Sequence, residues 1–167
     1  IRYEGEEDLG PSELAREVCM VHQDPEAQFC TELVEDEIAF GLENFKVPRE
    51  EIDRRIDLVL EQLGCSELRD RELKNLSGGE KQKIAIASML VLDPEVLILD
   101  EPTANLDAVS MQEVLDAVER IRGRKDDLTI LLAEHRIGGL MEHVDSMIEL
   151  EGGRIVRKID DFRGLDE

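Results

Sequence analysis

The segment Asn75-Leu76-Ser77-Gly78-Gly79-Glu80-Lys81-Gln82 puts two glycines behind a serine at the start of an apolar helical pattern. Ser77 with Glu80 three positions on is the spacing of a capping box, so the spacing predicts a helix that opens at the glycines. Backbone N–H groups at such an opening, with the positive end of the helix dipole behind them, suit a phosphate. Glycine lets the anion come close, because no Cβ stands in the way. Eighteen residues after Gly79, the run Leu97-Ile98-Leu99 ends in Asp100-Glu101. Neighbouring carboxylates at the carboxyl end of a strand point to opposite faces. Asp100 is then placed to hold a hard cation such as Mg2+, and Glu101 to take a proton from an attacking water.

Each piece alone has an ordinary explanation. Ser77-Gly78-Gly79 can simply cap a helix, an acid closing an apolar run can simply open a loop, and His135 can be a surface histidine. The order along the chain is what argues for one site: Gln23, then residues 77–80, then Asp100 and Glu101, then His135.

The elements that must position these residues alternate between strand and helix. Residues 18–22 form a short, largely apolar run that empties into Gln23-Asp24-Pro25, the pattern of a strand entering a loop. A helical pattern follows from Thr31, with Leu33, Val34, Ile38, Phe40 and Leu42 apolar, and Gly41 and residues 44–47 are expected to break it. Pro48 is expected as the first residue of the next helix, with Glu50 and Glu51 near its positive end. Ile52, Ile56, Val59, Leu60 and Leu63 make its apolar stripe, and Gly64 its stop. The helix after Ser77 carries Ile84, Ile86, Ala87 and Leu90 and ends by Asp93-Pro94. Residues 96–99 are uninterruptedly apolar, which predicts a strand buried on both faces of a parallel sheet. A helix over 108–122 turns Val114, Leu115, Val118 and Ile121 inward, and residues 128–133 read as a second buried strand. Residues 146–150 and 154–158 flank Gly152-Gly153 as a hairpin, and 160–167 have no decided structure. This alternation is the α/β class.

Composition narrows the function. Asp and Glu number 41 against 20 Lys and Arg, a formal charge of -21, which opposes an electrostatic grip on a nucleic-acid backbone. Lysine is confined to Lys46, Lys74, Lys81, Lys83, Lys125 and Lys158. An acidic, lysine-poor surface suits high salt, where screening removes self-repulsion. The melting temperature is therefore expected to rise with added KCl, and a flat response would contradict this. Cys19, Cys30 and Cys65 are odd in number and widely spaced, matching neither a disulfide framework nor a metal knuckle. The longest apolar stretch, residues 84–92, is interrupted by Ser88 and is well short of the ~20 residues a spanning helix needs.

Taken together, the motifs resemble those of ABC ATPases: Gln23 a Q-loop, residues 77–80 a signature, Leu97 to Glu101 a Walker B strand, residues 104–107 a D-loop and His135 a switch histidine. The resemblance covers roughly residues 15–158. It implies a P-loop NTPase core of α/β class, with a helical signature subdomain at about residues 26–92, as one partial nucleotide-binding domain over 1–167. It implies ATP and Mg2+ as cofactors, and a second ATPase subunit as partner, because the signature of one subunit presses on the nucleotide held by the other. Ser77, Gly78, Gly79 and Glu80 would contact that nucleotide. Asp100 would hold Mg2+, with Gln23 bridging the metal or water to a transmembrane partner. Glu101 would be the general base, His135 would touch the γ-phosphate, and Asp107 would couple the two sites. This division of labour is what phosphoryl transfer needs, positioning and charge neutralisation rather than covalent chemistry.

Residues 23–29, Gln-Asp-Pro-Glu-Ala-Gln-Phe, and residues 34–44, Val-Glu-Asp-Glu-Ile-Ala-Phe-Gly-Leu-Glu-Asn, look like the ATPases of energy-coupling-factor importers and their cobalt and nickel relatives. In those proteins this region receives a membrane coupling helix, which implies a peripheral place on the cytoplasmic face of the membrane. Cys19 stands where glycine is common in the family, His22 where Phe is common and Lys83 where Arg is common. The larger departure is that no Gly-x-x-x-x-Gly-Lys-[Ser/Thr] phosphate loop occurs in the 167 residues. In the family it lies some forty residues ahead of the segment resembling Ile1-Arg2-Tyr3-Glu4-Gly5. The expectation is a domain truncated at its N-terminal side, inactive by itself.

Two other readings share these motifs. A non-transport ABC protein of DNA repair or translation is disfavoured by the 54 positions between Gln23 and Ser77, too few for a coiled-coil insertion, and by the acidic charge. An inactive partner that only donates its signature is the other.

Overall fold

A computed structural model describes residues 10–123, 127–135, 140–141 and 143–160. The segment 1–5, the trailing residues 161–167 and Lys125 lie outside the described residues. Two compact units divide the chain, one up to Glu134 and one from His135.

The first unit runs α1 (Pro11–Glu17), β1 (Val18–Val21), α2 (Val34–Asn44), α3 (Arg49–Leu63), α4 (Gly78–Leu90), β2 (Val96–Asp100), α5 (Ala108–Arg122) and β3 (Thr129–Ala133). Its sheet has the order β1-β2-β3, all parallel, with Met20 opposite Ile98 and Ile98 opposite Leu131. Cys19, Val21, Leu97 and Leu99 point into the core beneath α4, where Ile84, Ala85, Ile86 and Ala87 are fully enclosed. Burial pushes the thiols of Cys19 and Cys65 up to about 11, so both act as small apolar fillers. In the second unit β4 (Met147–Glu151) pairs antiparallel with β5 (Arg154–Ile159). Gly152 and Gly153 turn between them at φ +56° and +76°, the left-handed geometry of a tight hairpin turn.

Three expectations are corrected. Gly41 does not break α2, which continues to Asn44; a Cβ there would meet Leu92 Cδ2 at 2.9 Å, so the glycine lies in close contact with the Leu92 side chain. Pro48 is the N-cap of α3 rather than its first helical residue, with ψ 142° still extended. Among the described residues the sheet is covered on one face, with Met20 and Leu131 38% and 51% exposed on the other. Apolar continuity along a strand states that both faces are to be covered, and the described residues cover one.

The helical part is held by buried apolar stripes and one ionic node. Val34, Ile38 and Leu42 of α2 meet Ile52, Ile56, Val59, Leu60 and Leu63 of α3 in one cluster. Arg69 donates to Glu35 at 2.9 Å and to Asp53 at 3.2 Å, joining the two helices. The Glu35 carboxylate holds the Arg69 guanidinium protonated even more firmly than usual.

Candidate functional site

Glu101 leaves the end of β2 in the left-handed region, at φ +44°. A side chain with a Cβ pays for that conformation, here immediately before Pro102, which itself disfavours helical backbone at the preceding residue. The strain is held in place from both sides. Glu101 N–H donates to the Ala133 carbonyl at 2.9 Å, while Thr103 N–H and Oγ1 donate to Glu134 Oε1 at 3.1 and 2.6 Å. Pro102 and Thr103 are buried, so the turn after the strand is clamped to the end of β3.

Gln23 meets this turn from β1. Its Nε2 donates to Glu101 Oε2 at 3.1 Å across 78 positions of sequence. The loop that carries Gln23 is ordered by its own side chains. Asp24 accepts from Glu26 N–H at 3.1 Å to start the 3-10 turn Pro25–Ala27, and Gln28 Oε1 accepts from His22 N–H at 3.1 Å. At its far end Glu37, 5% exposed, accepts from the N–H groups of Cys30 and Thr31 and from the Thr31 hydroxyl, at 2.9, 2.9 and 3.0 Å. A buried carboxylate with three donors is satisfied rather than costly.

The capping box at α4 forms as the spacing predicts. Ser77 N–H donates to Glu80 Oε2 at 2.7 Å and Glu80 N–H to Ser77 Oγ at 3.3 Å. Two of the first-turn donors are therefore consumed, and the N–H groups of Gly78 and Gly79 are left without an acceptor among the described residues. Gly79 also has a packing reason that the sequence does not show. A Cβ on Gly79 would lie 2.9 Å from Ser110 Cβ, and one on Gly78 3.3 Å from Leu106 Cδ2. Asp107 fixes that facing surface as N-cap of α5, its Oδ1 accepting from Val109 and Ser110 N–H at 3.0 and 2.8 Å. The Ser110 N–H leads in holding the Asp107 carboxyl below its ordinary range.

The Ser77 backbone N–H likewise lowers the pKa of Glu80. A lowered carboxylate contributes stability that is present at neutral pH and lost as pH falls through the folded-state value. Glu80→Gln is thus expected to flatten the acid limb of a plot of melting temperature against pH. Ser77→Ala is expected to remove about 1 kcal/mol at neutral pH, as for other capping losses.

The structure brings Gln23 to Glu101, and Gly78 and Gly79 to the segment from Leu106 to Ser110. Asp100 stands half-buried at the end of β2, and His135 is exposed at the start of the second unit. No group of three or more His, Cys, Asp or Glu side chains among the described residues could enclose a metal. A lone Asp100 still fits Mg2+, an ion that keeps several waters and leans on one or two carboxylates plus substrate phosphates. Two free glycine N–H groups fit a phosphate. Glu37, Glu134 and Ser110 are position-setting residues that motif spacing does not reveal. Only Glu134 leaves a trace in sequence, an acid just ahead of His135 at a strand end.

Comparison with known proteins agrees with this geometry. Residues 1–104 match the ABC transporter family. An ABC transporter ATP-binding protein of Pyrococcus abyssi is 45% identical over 145 residues, 87% of this chain and 51% of its own length. One of Methanosarcina mazei is 42% identical over 149 residues, 89% of this chain and 26% of its own length. The chain thus spans about half or less of the length of these relatives. Among solved structures, cbiO1 from Clostridium perfringens, part of the ABC transporter complex cbiONQ, superposes with TM-score 0.86 at 31% identity, over 95% of this chain and 64% of that one. An ATP-binding cassette of an ABC transporter in its ADP conformation superposes with TM-score 0.74 at 23% identity, a likeness of fold alone. Motifs, fold and relatives agree: the chain belongs to the ABC transporter ATP-binding family.

Proposed function

We propose that this chain is part of an ATP-binding and ATP-hydrolysing subunit of an ABC importer, which couples MgATP hydrolysis at a dimer interface to uptake of a vitamin or metal ion. The bond from Gln23 to Glu101 carries the reading, because it ties the loop expected to face a membrane partner to the candidate base. In this scheme Asp100 holds Mg2+, Glu101 and His135 act at the γ-phosphate and its attacking water, and Gly78 and Gly79 supply N–H groups to the nucleotide of the opposite subunit. Asp107 sets the surface across which the two subunits communicate.

The importer assignment rests on residues 23–44 and on the likeness to cbiO1, which is part of the ABC transporter complex cbiONQ. Leu33, the N-cap of α2, and Phe40 within it are 40% and 44% exposed, and large apolar side chains left bare suit a coupling helix. No helix among the described residues is long and apolar enough to cross a membrane. Residues 1–167 hold no phosphate-loop lysine motif, and the relative from Pyrococcus abyssi extends beyond the stretch it shares with this chain. Affinity isolation of the full-length protein from its own cells tests the reading. Recovery with membrane subunits supports it, and recovery with ribosomes or DNA-repair factors overturns it.

A further inference from the structure

Among the described residues the buried polar and charged side chains are Glu37, Gln82, Lys83, Ser88 and Thr103, and all but one are satisfied. Glu37 has its three donors, Lys83 Nζ donates to Glu113 Oε2 at 3.1 Å, Ser88 Oγ to the Ala85 carbonyl at 3.0 Å and Thr103 Oγ1 to Glu134 at 2.6 Å. Gln82 is the exception. It is 2% exposed, and its Nε2 meets no acceptor among the described residues. An enclosed amide without an acceptor has given up its bonds to water and gained none in return, so such a group calls for a reason.

Its place on α4 supplies one. Gln82 follows Gly78 by four positions and Gly79 by three, on the stripe of α4 that faces Leu106 and Ser110. Helical side chains lean toward the N-terminus of their helix, which carries the Gln82 amide back over the turn of those glycines, toward the segment that follows Glu101. That segment has the complementary shortage. Pro102 is buried and Ala104 half-buried, and their carbonyls accept from no group among the described residues. Thr103 between them is fastened to Glu134, so the segment is held at one residue with an open acceptor on either side.

We propose that Gln82 is a positioning residue for the turn that carries Glu101: its amide donates to the Pro102 or Ala104 carbonyl in the nucleotide-bound arrangement and is unmet in this one. The unmet donor destabilises the nucleotide-free domain and favours the arrangement in which it is met. Gln82 acts through the backbone after Glu101 and touches neither nucleotide nor water. The inference rests on the ATPase reading for its effect on turnover, and on hydrogen bonding alone for its effect on stability.

Gln82→Met in the full-length protein tests it, since methionine keeps the length of the side chain and removes its donors. Without nucleotide the melting temperature is expected to rise by about 2–4 °C, while kcat falls about tenfold with KM changed far less. A merely structural glutamine would move stability and turnover downward together. Hydrogen exchange of the amides of residues 103–107 gives a readout without turnover: slowed by MgATP in the wild type, and slowed far less in Gln82→Met. A melting temperature that does not rise, exchange that answers MgATP alike in both proteins, or an active enzyme whose turnover the variant leaves unchanged overturns the role. A raised melting temperature with a lost exchange response, in a protein whose wild type hydrolyses nothing, upholds the role of Gln82 and overturns the ATPase reading.

Discussion

Replacing Glu101 by Gln in the full-length protein is expected to lower MgATP turnover by about 10²–10⁴, the range attributed to loss of a general base, with nucleotide binding kept. The side chain is isosteric, and an amide oxygen at this position still accepts from Gln23 Nε2, which now reaches Glu101 Oε2 at 3.1 Å. The clamp on the turn is also untouched, because the Glu101 backbone and Thr103 make it with Ala133 and Glu134. What disappears is the capacity to take a proton from water. Melting temperature therefore stays level while turnover falls. The strained φ of +44° at this residue supports a chemical role, since a conformation costing about 1–3 kcal/mol survives where the surroundings impose it. Turnover within a few-fold of wild type would remove Glu101 from the mechanism.

Gly79→Ala is expected to destabilise the domain by about 1–3 kcal/mol, through overpacking against α5. The new methyl would sit 2.9 Å from Ser110 Cβ, 3.2 Å from its Oγ and 3.5 Å from its Cα. Ser110 cannot retreat cheaply, because its N–H is bound to Asp107 at 2.8 Å. Alanine's better helix propensity offsets at most about 1 kcal/mol of this, less in a first turn. For a domain of this size the melting temperature falls about 2–4 °C per kcal/mol. Ser110→Gly in the same chain removes both nearest atoms and leaves only an ordinary contact with Cα, so the pair is expected to recover most of the loss. Equal melting of wild type and Gly79→Ala would show that α4 and α5 can part freely.

Local signals were legible wherever chemistry and backbone geometry coincide. The capping box at Ser77 and Glu80, the αL stop at Gly64 and the Gly152-Gly153 hairpin follow from residue type alone, and all three form. The strand ending in Asp100-Glu101 was legible for the same reason. Tertiary demands were not. Gly41 reads as a breaker in one dimension and is a contact glycine against Leu92 in three. The exposed row of Met20 and Leu131 beside Ile98 reads as core, because apolarity records the need for a cover without supplying it. Glu37 and Glu134 look like two more acids in a chain with 41, and only folding shows that they fasten the loops around Gln23 and Glu101.

Mixing two separately inactivated forms of the full-length protein tests most directly whether catalysis needs Glu101 from one subunit and the signature from another. Gly78→Asp is suited as the signature variant, because a carboxylate is favourable for an exposed helix N-terminus yet repels phosphate. The other form carries Glu101→Gln. Each alone is expected to be nearly silent. In a random mixture half of the dimers are mixed and one of their two sites is intact, so about a quarter of wild-type turnover is expected to return. A mixture as silent as its components would contradict a site shared between subunits.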